Sequence, residues 1–152
     1  MRMTRQDQAV DYFDRGFHCS QAVLAAYADQ CGLSEEKALK LGACFGGGMR
    51  KGQVCGACTG ALMVLGFLYG YDDPDNLKSK QTADEVNDRM MDGFAEACGS
   101  CLCKEILGYD ISTPEGKQRA REKNLFRDLC PQMVRNAVNV LENIIRERRE
   151  NG

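Results

Sequence analysis

The sequence has little of what many cofactor sites require. Its single histidine, His18, excludes zinc sites that are built from several histidines. Neither glycine-rich phosphate-binding pattern occurs, because G-x-G-x-x-G and G-x-x-x-x-G-K-S/T are both missing. A C-x-x-C-H unit for covalent haem is absent, and so is the C-x-x-C-x-x-C run of ferredoxins. The motifs therefore exclude a nucleotide-binding loop, covalent haem and a ferredoxin-type cluster.

An excess of charge of one sign is also missing. Lys and Arg number 20 and Asp and Glu number 22, which gives a formal net charge of −2. This balance excludes a strongly basic nucleic-acid-binding protein and an acidic disordered tail. Residues 1–16 carry no apolar stretch after their arginines, so we expect no secretory signal and a cytoplasmic location. Residues 1–152 contain no Pro- or Ser-rich linker and are predicted to form a single domain.

Only one long segment lacks charge, and it runs from Val54 to Tyr71. Its length touches the lower limit for a membrane-spanning helix. Four glycines interrupt the segment, and the rest of the chain is amphipathic and polar. A buried central helix of a bundle is the better interpretation, because such a helix is apolar on all sides. We therefore expect no membrane insertion.

Apolar residues recur with helical spacing along most of the chain, and no segment resembles a strand. One such stripe begins at Cys19 and another follows Pro131. We predict an all-α fold, a single compact helical bundle of about six to seven helices. The predicted helices cover about residues 4–15, 19–32, 34–44, 56–70, 75–98 and 101–107, followed by a polar helix from Pro114 and a last helix from Pro131. Residues 45–53 are predicted to be a glycine-rich loop.

Nine cysteines are the unusual feature of the composition, at positions 19, 31, 44, 55, 58, 98, 101, 103 and 130. An odd number cannot be closed entirely into internal disulfides, and cytosolic thiol clusters more often indicate metal binding or catalysis. Two C-x-x-C units, at 55–58 and 98–101, lie too far apart in the sequence for a compact zinc ribbon. Taken singly, Cys31 and Cys44 are expected to be buried, because free cysteine packs well in cores.

Four cysteines are placed to meet inside the bundle. Three of them, Cys19, Cys55 and Cys130, lie at predicted helix starts, and Cys103 lies in the short helix. Backbone N–H groups and the helix dipole favour a thiolate at a helix start. A lowered thiol pKa is what a nucleophile or a metal ligand needs. Because all four lie on the inward sides of their segments, we expect them to converge.

Several segments carry a resemblance to a known family: FHCSQAVLAAY, GACFGGGMRKGQVCGACTGALMVLG, CKEILG and LCPQMV. From about residue 10 to residue 145 the chain resembles the C-GCAxxG-C-C family of redox-active proteins, which is named for four signature cysteines. One of these lies in a C-G-A-x-x-G motif, which begins here at Cys55. The resemblance implies a redox function and a signature set made of Cys19, Cys55, Cys103 and Cys130.

Two forms of redox chemistry are predicted for these cysteines. In one, the signature set ligates an iron–sulfur cluster, and the protein transfers electrons to a redox partner protein. In the other, the thiols undergo thiol–disulfide exchange, with Cys55 and Cys58 as the catalytic pair. Cys55 is then the attacking thiolate, and Cys58 or another cysteine resolves the mixed disulfide. The glycine-rich residues 46–52 would give a partner access.

A non-redox metal-binding module is the alternative, because Cys19, Cys55, Cys103 and Cys130 would equally hold Zn²⁺ in a tetrahedral site. A plain helical interaction domain with inert buried thiols is the third interpretation. A homodimer is compatible with the methionines and the last helix, which could supply an apolar contact between two copies. The same residues, Met90, Met91 and Met133, would serve a core equally well.

Overall fold

Ten helices follow one another in the computed structural model, which describes residues 3–151. They are α1 (Arg5–Asp14), α2 (Cys19–Ala26), α3 (Ala28–Cys31), α4 (Glu35–Gly42), α5 (Gly56–Tyr69), α6 (Leu77–Cys98), α7 (Cys103–Leu107), α8 (Pro114–Glu122), α9 (Leu125–Asp128) and α10 (Cys130–Asn151). The structure is 76% helical, and seven helices have seven or more residues. The predicted all-α fold is confirmed, with slightly more helices than predicted because α3 is separate from α2 and a short α9 precedes α10.

Helix α5 occupies the centre of the fold, where it packs against α2, α6 and α10. Its small residues allow this close packing: a Cβ atom at Gly60 would lie 2.7 Å from the backbone oxygen of Ser20 in α2. The predicted buried central helix is thus observed, although Phe67 near its end is exposed. Within residues 3–151, no helix has both the length and the apolar character that crossing a bilayer requires.

Helix α10 presents the apolar stripe that the sequence predicts, and α1, α2, α5 and α6 pack against it. Each fully buried aliphatic side chain contributes roughly 1.5–3 kcal/mol relative to its exposed state. Met90 of α6 also lies in this core, so it is not available for a contact between two copies. The buried side chains of α10 are Met133, Val134, Ala137, Val138, Leu141, Ile144 and Ile145.

Helices α4, α6 and α8 begin directly after residues whose side chains cap them. The Ser34 hydroxyl accepts a hydrogen bond from the N–H of Lys37 at 3.1 Å, and Thr113 caps α8 in the same way. Each such cap contributes about 1 kcal/mol. Helix α6 begins two residues later than predicted, because the side chain of Asn76 accepts from the N–H of Ser79.

The prediction of one helix over residues 19–32 is wrong, because the chain leaves helical geometry at Tyr27 (φ −113°, ψ 10°). The ring of Tyr27 is completely buried, and its hydroxyl donates to the carboxylate of Glu142. The guanidinium of Arg5 lies 5.0 Å from the centre of that ring. This anchoring of Tyr27 accompanies the break between α2 and α3.

The expected burial of Cys31 and Cys44 is also wrong. Cys44 is exposed and Cys31 is only half-buried. Cys44 follows the end of α4, and Cys31 is the last residue of α3. Cys44 therefore lies on the surface, whereas Cys31 packs against the edge of the core with part of its side chain exposed.

Candidate functional site

Four of the nine cysteines lie at the starts of four different helices. Cys19, Cys103 and Cys130 are the first residues of α2, α7 and α10, and Cys55 is the N-cap residue of α5. All four are free thiols. The start of a long helix presents backbone N–H groups that have no partner within the helix, and these can donate to a sulfur. We call Cys19, Cys55, Cys103 and Cys130 the first thiol group.

Cys19 is the acidic member of this group. The pKa of its thiol is lowered, first by the hydrogen bond from the thiol of Cys55. Burial opposes this shift, but the N–H groups of Gly47, Ser20 and Ala57 also favour the thiolate. Ser20 and Ala57 lie in the first turns of α2 and α5. Two helix starts and one loop therefore supply donors to a single sulfur atom.

Gly56 makes this arrangement sterically feasible. A Cβ atom built on Gly56 would lie 2.7 Å from the Cys19 sulfur and 3.0 Å from the backbone oxygen of Phe45. Any larger residue would push the start of α5 away from Cys19. Gly46 has a related role, because a Cβ atom there would overlap the imidazole of His18. The two glycines let α5 and the 45–53 segment close over the start of α2.

The pKa of Cys55 is shifted in the opposite direction to that of Cys19. Its pKa is raised by its hydrogen bond to Cys19, by burial and by the charge of Cys19. Both residues are largely buried, at 9% exposure for Cys19 and 8% for Cys55. The pair therefore places the negative charge on Cys19 and keeps the proton on Cys55.

Cys103 and Cys130 complete the first thiol group. Burial and the charge of Cys19 raise the pKa of Cys103 to about 11. Burial, followed by Cys19 and Cys103, raises the pKa of Cys130 to about 12. Because each thiol responds to the charge of Cys19, the four lie within electrostatic range of one another.

A short backbone ladder aligns the cysteines of α5 and α7. The N–H of Cys55 donates to the oxygen of Cys101 at 2.8 Å, and the N–H of Cys103 donates to the oxygen of Gln53 at 2.7 Å. Between these bonds, Val54 and Leu102 form an isolated antiparallel bridge. The ladder holds the start of α7 beside the start of α5, although the whole of α5 and α6 separates Cys55 from Cys103 along the chain.

The second thiol group consists of Cys58, Cys98 and Cys101. Burial, then the neighbouring thiols of Cys101 and Cys98, raises the pKa of Cys58 to about 12. The Cys58 sulfur also lies 3.6 Å from the Met91 sulfur. The two C-x-x-C units are visible in the sequence, but their spacing does not reveal that Cys58 lies near Cys98 and Cys101.

The glycine-rich segment 45–53 wraps closely around the first thiol group. Met49 and Arg50 both adopt left-handed backbone angles, with φ of 58° and 64°. Such angles cost a non-glycine residue roughly 1–3 kcal/mol and are concentrated at functional sites. Arg50 and Lys51 are exposed on this turn, so positive charge lies close in sequence to Cys55. The predicted access for a partner through residues 46–52 stays a prediction.

The first thiol group has the donor types that a metal or an iron–sulfur cluster takes, since four thiolates are the common ligands of both zinc and such clusters. Within residues 3–151, no three Cys, His, Asp or Glu side chains are arranged so that they could hold a metal ion. The assignment of Cys19, Cys55, Cys103 and Cys130 as ligands therefore stays a prediction.

Comparison with known proteins identifies one family. Residues 17–144 match the family described as "Putative redox-active protein (C_GCAxxG_C_C)". The match includes both thiol groups and every helix from α2 to α9. Neither a curated protein nor a solved structure matches the chain.

Proposed function

Because the chain belongs to the C_GCAxxG_C_C family of redox-active proteins, we propose that Cys19 and Cys55 carry out reversible thiol–disulfide exchange. One observation carries this proposal: the Cys19 sulfur lies against the start of α5, where a Cβ atom on Gly56 would be 2.7 Å away, and beside it the pKa of Cys19 is lowered while that of Cys55 is raised. A thiolate is the attacking species in disulfide exchange, and a second thiol must be within reach to resolve the mixed disulfide.

The reaction begins with the thiolate of Cys19, which attacks one sulfur of a substrate disulfide. A mixed disulfide forms, and the first substrate thiolate leaves and takes up the proton of Cys55. Cys55 then attacks the Cys19 sulfur, closing the Cys19–Cys55 disulfide and releasing the second substrate thiolate. Two electrons pass from Cys19 and Cys55 to the substrate, and the reverse sequence oxidises a dithiol.

This proposal revises the roles that the sequence suggested for Cys55 and Cys58. The sequence favoured Cys55 as the attacking thiolate, because it lies at a predicted helix start. In the folded chain the N–H donors of Gly47, Ser20 and Ala57 instead favour the charge on Cys19. Cys55 becomes the resolving thiol, and Cys58 belongs to the second thiol group.

A metal centre is the second candidate, because the four cysteines of the first thiol group lie within electrostatic range of one another, although their side chains would have to move closer to ligate one ion. An iron–sulfur cluster held by them would supply electron transfer, whereas zinc would stabilise the fold. Cys103 and Cys130 would have to lose protons that their raised pKa values retain, so binding would release protons and weaken at low pH.

The experiment combines metal analysis with disulfide mapping on protein purified without oxygen. After equilibration with glutathione buffers of increasing oxidation, free thiols are trapped and disulfides are identified by mass spectrometry. We expect a Cys19–Cys55 disulfide that forms and reopens with the buffer, and its loss in Cys19→Ser and Cys55→Ser. Cys44→Ser is the matched control, because Cys44 is exposed and lies outside both groups.

Two results would overturn the exchange proposal. One is stoichiometric iron and sulfide, or stoichiometric zinc, that is lost in Cys103→Ser and Cys130→Ser. The other is a protein without metal in which the Cys19–Cys55 disulfide never forms.

A further inference from the structure

We propose that Cys58, Cys98 and Cys101 form a second redox site, which exchanges a disulfide with Cys19 and Cys55 through Cys58. This inference rests on the proposed function, because the disulfide that moves is the Cys19–Cys55 bond. Its substrate class is the thiol or disulfide of a partner protein. The partner would react at Cys98 and Cys101 rather than at the buried first thiol group.

Cys58 lies close to Cys55 on α5. Cys55 is the N-cap of this helix, and the N–H of Cys58 donates to the oxygen of Cys55 at 3.0 Å. Residues three apart on a helix are neighbours on its surface. Cys58 is therefore one turn from Cys55 and can approach its sulfur with only a local movement of side chains.

Cys101 also lies next to the start of α5. Its backbone oxygen accepts the N–H of Cys55, so the chain at Cys101 is held against the start of α5. Cys98 is the last residue of α6, and Gly99 follows it with a left-handed φ of 85° that turns the chain back. Only Gly99 and Ser100 separate the two cysteines, so closing a loop between them costs little chain entropy.

The cysteines of the two groups differ in how deeply they are buried. Cys58 is completely buried, whereas Cys98 and Cys101 are half-buried. Cys19 and Cys55 are less exposed than Cys98 and Cys101, so a folded partner reaches the second group more readily. Cys58 is therefore an internal carrier, and Cys98 and Cys101 are the thiols that a partner protein can reach.

The pKa values of the second group agree with this arrangement. Cys101 and Cys98 both contribute to the raised pKa of Cys58, so all three thiols are in electrostatic range. Burial raises the pKa of Cys98, and the side-chain amide of Asn136, which donates to the Cys98 sulfur at 3.5 Å, partly offsets that rise. Asn136 thus favours the thiolate of the half-buried cysteine.

The transfer proceeds by three exchanges. Cys58 attacks the Cys55 sulfur of the Cys19–Cys55 bond and releases Cys19, and Cys101 then attacks the Cys58 sulfur and releases Cys55. Finally, Cys98 attacks the Cys101 sulfur and releases Cys58. In each exchange one S–S bond breaks, one forms, and a proton passes from the attacking to the leaving sulfur. Two electrons and two protons move from Cys98 and Cys101 to Cys19 and Cys55, so no external oxidant is required.

The test follows the location of the disulfide over time after one equivalent of a small disulfide is added to the fully reduced protein. In the wild-type chain we expect the Cys19–Cys55 disulfide to form first and to decay as Cys98–Cys101 appears. In Cys58→Ala, Cys19–Cys55 should form normally and persist, and the delayed appearance of Cys98–Cys101 should be lost. Cys31→Ala is the matched control, because Cys31 is half-buried and lies outside both groups.

The outcomes separate this inference from the proposed function. If Cys98–Cys101 never forms in the wild type, or forms equally fast in Cys58→Ala, the relay is wrong although the Cys19–Cys55 exchange stands. If Cys19–Cys55 never forms in any variant, the proposed function itself is wrong. Normal formation of Cys19–Cys55 in Cys58→Ala also demonstrates that the variant folds, and Cys58→Ser serves as a second replacement.

Discussion

The two thiol groups contain the same side chain in different surroundings. In the first group, the Cys19 sulfur receives donors from two helix starts, a loop and a second thiol, and its pKa is lowered. In the second group, the Cys58 sulfur faces a thioether and two other thiols, and burial raises its pKa to about 12. Burial alone therefore suppresses a thiolate, and directed hydrogen-bond donors are what reverse the effect.

The largest difference between the two groups should follow from Gly56→Ala. The new methyl group would press on the Cys19 sulfur and on the backbone of Phe45, so α5 must move and its N–H donor is lost. We expect a destabilisation of about 1–3 kcal/mol from overpacking, together with a raised pKa of Cys19. Urea unfolding and the ultraviolet absorbance of thiolates measure the two effects.

Gly66→Ala is the matched control on the same helix, because a Cβ atom there would meet nothing within 4 Å. This variant should be stabilised by roughly 0.5–1 kcal/mol, as is usual for glycine to alanine inside a helix. Equal destabilisation by the two changes would show that Gly56 has no special relation to Cys19.

Cys55→Ala should remove the largest single stabilisation of the Cys19 thiolate. We expect the pKa of Cys19 to rise, because the thiol that donates to it is gone while burial remains. Cys103→Ala is the control, since Cys103 is not a donor to Cys19. A pH titration of thiolate absorbance measures both variants, and an unchanged titration in Cys55→Ala would contradict the pairing of Cys19 with Cys55.

The pH dependence of stability should have opposite signs for Cys58 and Cys19. The pKa of Cys58 is about 12 in the folded protein and about 8.5 in an unfolded chain. Its contribution to stability is therefore complete below about pH 8.5 and is lost as the pH rises toward 12. Cys19, whose pKa is lowered in the folded protein, stabilises the fold at pH values above its unfolded pKa. This stabilisation is lost as the pH falls through its folded pKa. In urea unfolding from about pH 8 to pH 11, the free energy of unfolding should fall less steeply with pH in Cys58→Ala than in the wild type.

The smallest effect is expected for Asn136→Ala. Removing the amide that donates to Cys98 should raise the pKa of that thiol further and slow its alkylation roughly fivefold or less, as one hydrogen bond of about 1 kcal/mol allows. The Cys19 titration should not change. A changed pKa of Cys19 in this variant would mean that the two thiol groups are not separate environments.

The helical architecture and the helix starts at Cys19, Cys55 and Cys130 were predictable because both follow from local sequence. Ser34 and Thr113 mark helix starts through their side chains, and the stripe of α10 follows from spacing alone. These features depend on residues within a few positions of one another.

The environment of each thiol was not predictable, because it depends on contacts between distant segments. Gly47 and Ala57 donate to Cys19 from parts of the chain beyond α4, and nothing in the local sequence indicates them. The grouping of Cys58 with Cys101 depends in the same way on how α5 and the segment after α6 meet. Cys44 was expected in the core because free cysteine usually packs there, yet it lies on the surface just after α4 ends.

The most direct test of the central claim is a pH titration of thiolate absorbance in the reduced wild-type protein and in Cys19→Ala. We expect one thiolate in the wild type that titrates below the ordinary cysteine pKa and is missing in Cys19→Ala. Identical titrations of the two proteins would show that Cys19 is an ordinary buried thiol and would contradict its role as the attacking thiolate.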